Sequence, residues 1–501
     1  VIRIAISALF AIAAFAADGD RDFEQGMQLA RAEKWDEARE AFLRGRATAP
    51  DQKRFSLELA GIAFRTGDRL KAIEELRRAL AIDPRDDYAN DAIGSLYLLE
   101  GRLDAAIPYW NRVDKPHIHN VVADDRFLRA IEVEPGEMLT EDALAQTAEN
   151  FSRLGYSTFR MELTPYDPQT FDLAVHVANS SVTGSTLPGR LIEIASGLPY
   201  QTVNMSFRPG RDWLETIDTS VRWDPNKRMA KLQTSGLING NPRFRYIFDA
   251  TGRDEDWDVR SSELAPFGFT TASAGASIEW GINSRVRWTN GFSASSVHYS
   301  AAPAGQPFRS GLELKEVSQV SYRALRIPSK RFSLTLDGDV QLGNLGSPFA
   351  KYHAAAITQW AHGETKPWAM HASLSAGGSA GNLPFNEYYI LGMGRDNDLW
   401  IRGHNAEYDG RKGNGPMGNR FFLSQFDALK TIYGNGFVQF EIGPFVDSGR
   451  VSGTYGSHGW MLDTGAEAQV RILKSTTFIL VYGRDTLNGG GVIFTAIRAG
   501  G

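Results

Sequence analysis

Cysteine is missing from this sequence altogether. A disulfide framework, a thiolate nucleophile and a cysteine-ligated zinc are therefore excluded. Long apolar runs are also missing: no internal stretch approaches the roughly 18 residues that a membrane-crossing helix requires. Nor is there an excess of charge of one sign. Lys and Arg number 54 against 59 Asp and Glu, for a net charge of −5. That balance argues against a nucleic-acid binder driven by a basic surface. Glycine is abundant instead, at 50 residues, and aromatics reach 11%. A chain of 501 residues exceeds one ordinary core and predicts two to four domains.

The N-terminus reads as a targeting segment. Arg3 precedes "IAISALFAIAAFA", and Ala14-Phe15-Ala16 stand before a polar start. One positive charge, a short apolar stretch and small residues at its end predict a secretory signal over residues 1–16.

Residues 19–115 repeat. Gly26, Ala60 and Gly94 are 34 residues apart, as are Ala38, Ala72 and Ala106, and Phe42, Leu76 and Trp110. Pro50 and Pro84 keep the same step, and Pro116 follows. Small residues let paired helices approach, a large apolar residue fills the gap, and proline ends the second helix. The pattern resembles the tetratricopeptide repeat over three units. That resemblance implies a curved scaffold for peptide or protein partners.

Residues 116–180 change character. "HIHNVV" reads as a strand and "DDRFLRAIEV" as a short helix. "LTEDALAQTAENFSRLG" reads as a second helix, capped by Thr140 and ended by Gly155, with Leu144, Thr147, Ala148, Phe151 and Leu154 on its apolar face. "YSTFRMELTP" and "FDLAVHVAN" alternate as two strands. On "PGEMLTEDAL", "LGYSTFRMEL" and "DLAVHV", the segment resembles a POTRA domain, the periplasmic module preceding the barrel in the BamA/TamA and two-partner-secretion transporter superfamily.

From residue 198 onward, sixteen segments alternate with period two, from "QTVNMSFR" through "WDVRSSELAP" to "VIFTAI". In "FSLTLDGDVQL", Phe332, Leu334, Leu336, Val340 and Leu342 share one face, and Ser333, Thr335, Asp337, Asp339 and Gln341 the other. In "VQFEIGPFVDS", Val438, Phe440, Ile442 and Val446 oppose Gln439, Glu441, Phe445 and Asp447. Strands of about ten residues match a bilayer crossing, where only a closed barrel satisfies every backbone group. The expectation is a multidomain chain: a signal at 1–16, α-helical repeats at 19–115, a small α+β domain at 116–180, and a 16-stranded antiparallel transmembrane β-barrel at 198–501. The soluble alternative is a large β-sandwich with one solvated face.

A connection of about forty residues interrupts the strands and holds "LGMGRDNDLWIRGHNAEYDG". Connections so long are usually functional or disordered. "LGMGRDNDLWIRGH" resembles the run ending in Val-Arg-Gly-Phe/Tyr on the long sixth loop of the same superfamily. Ile401, Arg402, Gly403 and His404 match it, with His404 in place of the usual aromatic. The resemblance implies that this loop folds into the lumen and that Arg402 pairs with inward strand residues. "GPFVDSGRV" resembles the superfamily's Phe-x-Asp-x-Gly strand through Phe445, Asp447 and Gly449, and alternation places Asp447 inward. A guanidinium inside a narrow barrel needs a carboxylate, and planar bidentate pairing suits arginine. Gly403 is expected to let the loop tip turn tightly. Glu441 and Glu467 also face inward and are expected to share the charge. The chain ends "TAIRAGG", with Phe494 nearby, where the superfamily often ends on an aromatic residue.

Other motifs carry less. "GGSAG" from Gly377 to Gly381 fits a nucleophile-elbow pattern but lacks a following helix. "GMG" from Gly392 to Gly394 lacks the third glycine and the βαβ context of a dinucleotide site. His353, His362 and His371 show no metal spacing. We expect no catalytic role, cofactor, metal or nucleic-acid partner. The resemblance implies insertion or translocation of proteins at the bacterial outer membrane. The N-terminal domains would lie in the periplasm, and the repeats would capture an unfolded or secreted client and meet periplasmic or lipoprotein partners. The seam between residues 201–208 and 492–497 would open. A polysaccharide export porin on a tetratricopeptide scaffold is the second reading.

Overall fold

The computed structural model describes residues 19–154, 159–177, 194, 197–198, 201–207, 215–305, 307–327, 330–362, 367–435, 437–453, 459–472 and 476–499. The signal expected at 1–16 and the cap expected at Gly155 lie outside them.

Helix α1 covers residues 19–31, followed by α2 (Trp35–Thr48), α3 (Lys53–Arg65), α4 (Arg69–Ile82), α5 (Asp87–Leu99) and α6 (Leu103–Trp110). The 34-residue columns fall where these helices touch. A Cβ on Gly26 would come 2.5–2.8 Å from the Phe42 ring, so only glycine admits that ring. Gly94 admits the Trp110 ring in the same way. Ala38, Ala60, Ala72 and Ala106 are buried, and Pro50 and Pro84 stand in the turns behind α2 and α4. Asp68 and Asp86 cap α4 and α5 by accepting from the Lys71 and Ala89 amides, at 2.9 and 2.7 Å. Arg46 joins the first repeat to the second through Glu75 at 2.5 Å, and Lys53 pairs with Asp83 within the second at 2.6 Å.

Then come β1 (His117–Val122), α7 (Asp125–Leu128), α8 (Glu141–Arg153), β2 (Phe159–Pro165) and β3 (Thr170–Val177). The Thr140 hydroxyl accepts from the Ala143 amide at 3.0 Å and starts α8. The three strands form a sheet in the order β1-β3-β2, with β1 parallel to β3. By contacts the chain divides into two compact units. One holds the helical repeats with residues 132–145 and 160–176; the other holds residues 125–131, 146–159 and the strands that follow.

Those strands are β4 (Thr202–Phe207), β5 (Thr216–Asp224), β6 (Lys227–Ile238), β7 (Asn241–Trp257), β8 (Phe267–Gly281), β9 (Val286–Ser300) and β10 (Gly311–Ile327). They continue as β11 (Phe332–Asn344), β12 (Pro348–His362) and β13 (Trp368–Gly381). Four two-residue pieces follow: β14 (Tyr389–Ile390), β15 (Glu407–Tyr408), β16 (Arg411–Lys412) and β17 (Met417–Gly418). The chain then returns to long strands, β18 (Arg420–Gly434), β19 (Val438–Ser452), β20 (Met461–Ile472), β21 (Thr476–Asp485) and β22 (Gly491–Ala499). Consecutive long strands pair antiparallel from β4 to β13 and from β18 to β22, and β13 pairs with β18 across the long connection. These fifteen long strands, together with the short pieces β15 and β16, make one large, mainly antiparallel sheet of about seventeen strands.

One of the sixteen expected segments is not a strand of its own. Trp257 ends β7, and residues 258–266 are a connection. Trp257 and Val259 instead join Phe267, Phe308 and Phe385 in a buried apolar cluster. Burial, not pairing, explains their apolar character.

The sheet is apolar outside and polar inside. Leu336, Val340 and Leu342 are exposed, whereas their polar neighbours Asp337, Asp339 and Gln341 are partly covered. On β19, Phe440, Ile442 and Val446 face out, and Glu441, Phe445 and Asp447 are buried. Phe292 and Ile493 are the extremes of this outward belt, at 66% and 72% exposed.

Candidate functional site

Residues 382–419 join β13 to β18, and this connection is built rather than loose. Ile401 is fully buried with Leu391, Phe421, Leu423, Val451 and Met461, which fixes the register of the next three residues. Those residues cross three strands. Asp447 on β19 stands opposite Asp463 on β20, which stands opposite Asp485 on β21. Like charges facing directly across a sheet repel, and these carboxylates are buried. Arg402, Gly403 and His404 run along that row and answer it.

Arg402 grips Asp447 with both ends of its fork, Nε to Oδ2 at 2.9 Å and Nη2 to Oδ1 at 2.7 Å. Its backbone amide donates to the same carboxylate at 2.9 Å. Nη1 donates to Glu467 at 3.0 Å and lies 3.6 Å from Asp427. The guanidinium carbon sits 4.0 Å from the centroid of the Phe445 ring, a cation–π contact within a desolvated site. The Gly403 amide donates to Asp463. The His404 ring bridges Asp463 (Nδ1, 3.1 Å) and Asp485 (Nε2, 3.4 Å). Burial disfavours an imidazolium there, but the two carboxylates outweigh it and raise the His404 pKa above its ordinary value.

One expectation needs correction and another needs a physical reason. The loop does turn at Gly403, where the His404 amide donates to the Ile401 carbonyl at 3.1 Å, but without a left-handed backbone. The residue is glycine because a Cβ would fall 2.5–2.7 Å from the Asp463 carboxylate. Glu441 does not reach Arg402. It accepts from Thr431 (3.2 Å) and Gln439 (2.9 Å) and lies 3.8 Å from Arg471, lower on the same strand face. Gly449 leaves space for the loop: a Cβ there would come 3.2 Å from both Ile401 and Leu391.

Sequence reasoning missed Asp463 and Asp485, whose inward direction becomes meaningful only once the register with Asp447 is known. It also missed a second brace. Asp396 receives both Nη atoms of Arg222 on β5, at 2.6 and 2.8 Å. Lys412 binds Glu255 on β7 at 2.8 Å and approaches Asp396 at 3.4 Å, while Lys227 on β6 pairs closely with Glu407. A third contact joins Glu387 to Lys315 on β10 and Lys351 on β12, at 2.6 and 3.3 Å. The signal available was the density of charge in "RDND" and "AEYDGRK". The loop is therefore tied to strands widely spread along the sheet. A cavity of about 640 Å3 remains, lined by both signs of charge, including Asp249, Arg253, Glu313 and Lys351.

Residues 23–87 match a family model described as tetratricopeptide repeat. Among solved structures, the chain is similar to CdiB from Escherichia coli, at 12% identity over 77% of this chain and 76% of that one, with a TM-score of 0.54. The two share a fold. CdiB from Acinetobacter baumannii matches at 13% identity over 88% of this chain and 87% of that one, with a TM-score of 0.47. BamA from Haemophilus ducreyi lacking POTRA domains 1–3 matches at 12% identity over 76% and 84%, with a TM-score of 0.43. No curated protein matches the chain.

Proposed function

We propose that this chain is a closed outer-membrane barrel that inserts or translocates proteins, with a periplasmic arm that captures the client. The observation carrying this reading is the inverted burial of the sheet combined with a loop tied into its interior. A belt that exposes Phe292, Leu312, Leu336 and Ile493 suits hydrocarbon, and strands of this length suit a bilayer crossing. Among the described residues no helix is long and apolar enough to cross a membrane.

The Arg402–Asp447 pair is the lock that holds the loop, and Glu467 and Phe445 complete it. Residues 116–180 act as a POTRA-like module that offers a sheet edge to an extended client, and the repeats hold client or lipoprotein partners in their groove. The sequence contains no nucleotide-binding motif, so client folding supplies the drive. The seam between β4 and β22 is the gate. The role is not enzymatic and needs no cofactor.

Depleting the protein in its bacterium and quantifying outer-membrane and secreted proteins tests this reading. Selective loss of particular barrel or secreted proteins is the expected result. An unchanged protein profile with loss of extracellular glycan would overturn it in favour of an export porin.

A further inference from the structure

The Asp447–Asp463–Asp485 row leaves a charge problem that Arg402 does not solve. Arg402 answers Asp447 and Glu467, and His371 lies 3.4 Å from Asp427. Asp463 and Asp485 remain, both buried, and among the described residues the one cationic group that either meets is the His404 ring. A buried carboxylate without a counter-charge costs several kcal/mol. Asp485 is partly settled by the amides of Leu487 and Asn488 and by the Asn488 side chain, at 2.9–3.1 Å. Asp463 is not: its Oδ2 takes Gly403 and His404, while its Oδ1 is buried with no hydrogen-bond partner.

One nitrogen of His404 and one oxygen from each of Asp463 and Asp485 lie within 4.8 Å of one another. Ligands of a tetrahedral ion, each about 2.1 Å from the metal, lie roughly 3.4 Å apart. A contraction of up to about 1.4 Å brings one nitrogen of His404 and the two carboxylate oxygens onto one ion. Imidazole with two carboxylates is a borderline donor set that suits zinc or manganese better than the all-oxygen shells of calcium and magnesium.

We propose that His404, Asp463 and Asp485 form a binding site for a divalent transition-metal cation, zinc or manganese, that pins the loop tip to β20 and β21. A divalent ion supplies more positive charge to Asp463 and Asp485 than the single His404 ring they share, and it does so where Gly403 lets the backbone come closest. When one ring nitrogen of His404 ligates the ion, its proton goes to solvent and its present contact with a carboxylate is replaced by the bonds from the ion to His404, Asp463 and Asp485; no covalent bond within the chain forms or breaks. The site needs neither the translocation reading nor the Arg402 lock.

The test uses the full chain, purified in detergent and stripped with a chelator. Zinc and manganese are then titrated separately by calorimetry, with the bound metal measured by elemental analysis. The expected result is one equivalent bound by the wild type, with a rise in Tm of several degrees. Both are lost in Asp463→Asn and in His404→Phe; the second variant keeps a ring in the site if the first fails to fold. Three results would overturn the proposal: no stoichiometric uptake, uptake unchanged in His404→Phe, or a Tm that follows the protonation of His404 while no metal binds.

Discussion

The helical repeats and the large sheet obey opposite rules of burial. In the repeats, Ala38, Phe42, Phe55 and Ile93 are enclosed, and charged residues such as Arg39 and Glu74 stand in water. In the sheet, Asp447 and Asp463 are 0% exposed, while Phe292 and Ile493 are mostly bare. On the proposed reading, in which the belt faces hydrocarbon, the apolar side chains follow one principle in both regions: each turns away from water. What then differs is where the water is. The contrast teaches that an exposed leucine has no fixed meaning until its surrounding medium is known.

The largest expected effect breaks the polar interior. Arg402→Glu places a fifth carboxylate among Asp427, Asp447, Asp463 and Glu467 and removes the fork that Asp447 accepts. Breaking a buried pair costs about 3–5 kcal/mol. The loop should then become accessible to protease in intact membranes, and Asp447→Arg in the same chain should partly restore protection. If the single change leaves the loop protected, Arg402 does not hold it.

Next comes a matched pair of substitutions on the apolar exteriors. Val340 and Leu70 are similarly exposed, at 47% and 52%. Val340→Arg should cost about 2–4 kcal/mol if the belt faces hydrocarbon. Leu70→Arg, on a helix that faces water, should stay within about 0.5 kcal/mol. Denaturant unfolding of the full chain in lipid vesicles measures both. Equal small effects would mean that the sheet is solvated outside. Third in size is Gly403→Ala, expected at about 1–3 kcal/mol because the new methyl group meets the Asp463 carboxylate in a packed site. Its readout is again loop protection, with the β-sheet signal in circular dichroism unchanged.

Much of this organisation was legible in the sequence because the physics is local. A 34-residue step is visible in Gly26, Ala60 and Gly94 without any fold. Period-two alternation assigned faces within β11 and β19, including the inward aspect of Asp447. What was not legible depends on register between strands. The row of Asp447, Asp463 and Asp485 exists because of the register of two successive hairpins, which alternation within a single strand does not set. The Arg222–Asp396 pair spans 174 positions. The extra strand expected at "WDVRSSELAP" fails for a related reason: alternation cannot tell a strand from residues such as Trp257 and Val259 that turn into an apolar cluster.

The smallest effect sharpens the comparison most, because it sets one aspartate against another. Asp86 in the repeats accepts from the Ala89 amide at 2.7 Å and meets Lys53 at 2.5 Å. Its lysine partner is over one-third exposed, so screening leaves little value in the ion pair. The cap should dominate. Asp86→Asn keeps an oxygen for the amide and should cost a few tenths of a kcal/mol, whereas Asp86→Ala should cost about 1 kcal/mol. At Asp447 the order of causes is reversed, because the carboxylate is the dry counter-ion of Arg402. Asp447→Asn keeps one oxygen and the shape but loses the charge, and should already cost most of what Asp447→Ala costs. Thermal unfolding of the four variants separates the cases. If asparagine rescued both sites equally, charge would matter no more at Asp447 than at the α5 cap, where the lysine partner is over one-third exposed, and the inversion between the two regions would be one of shape alone.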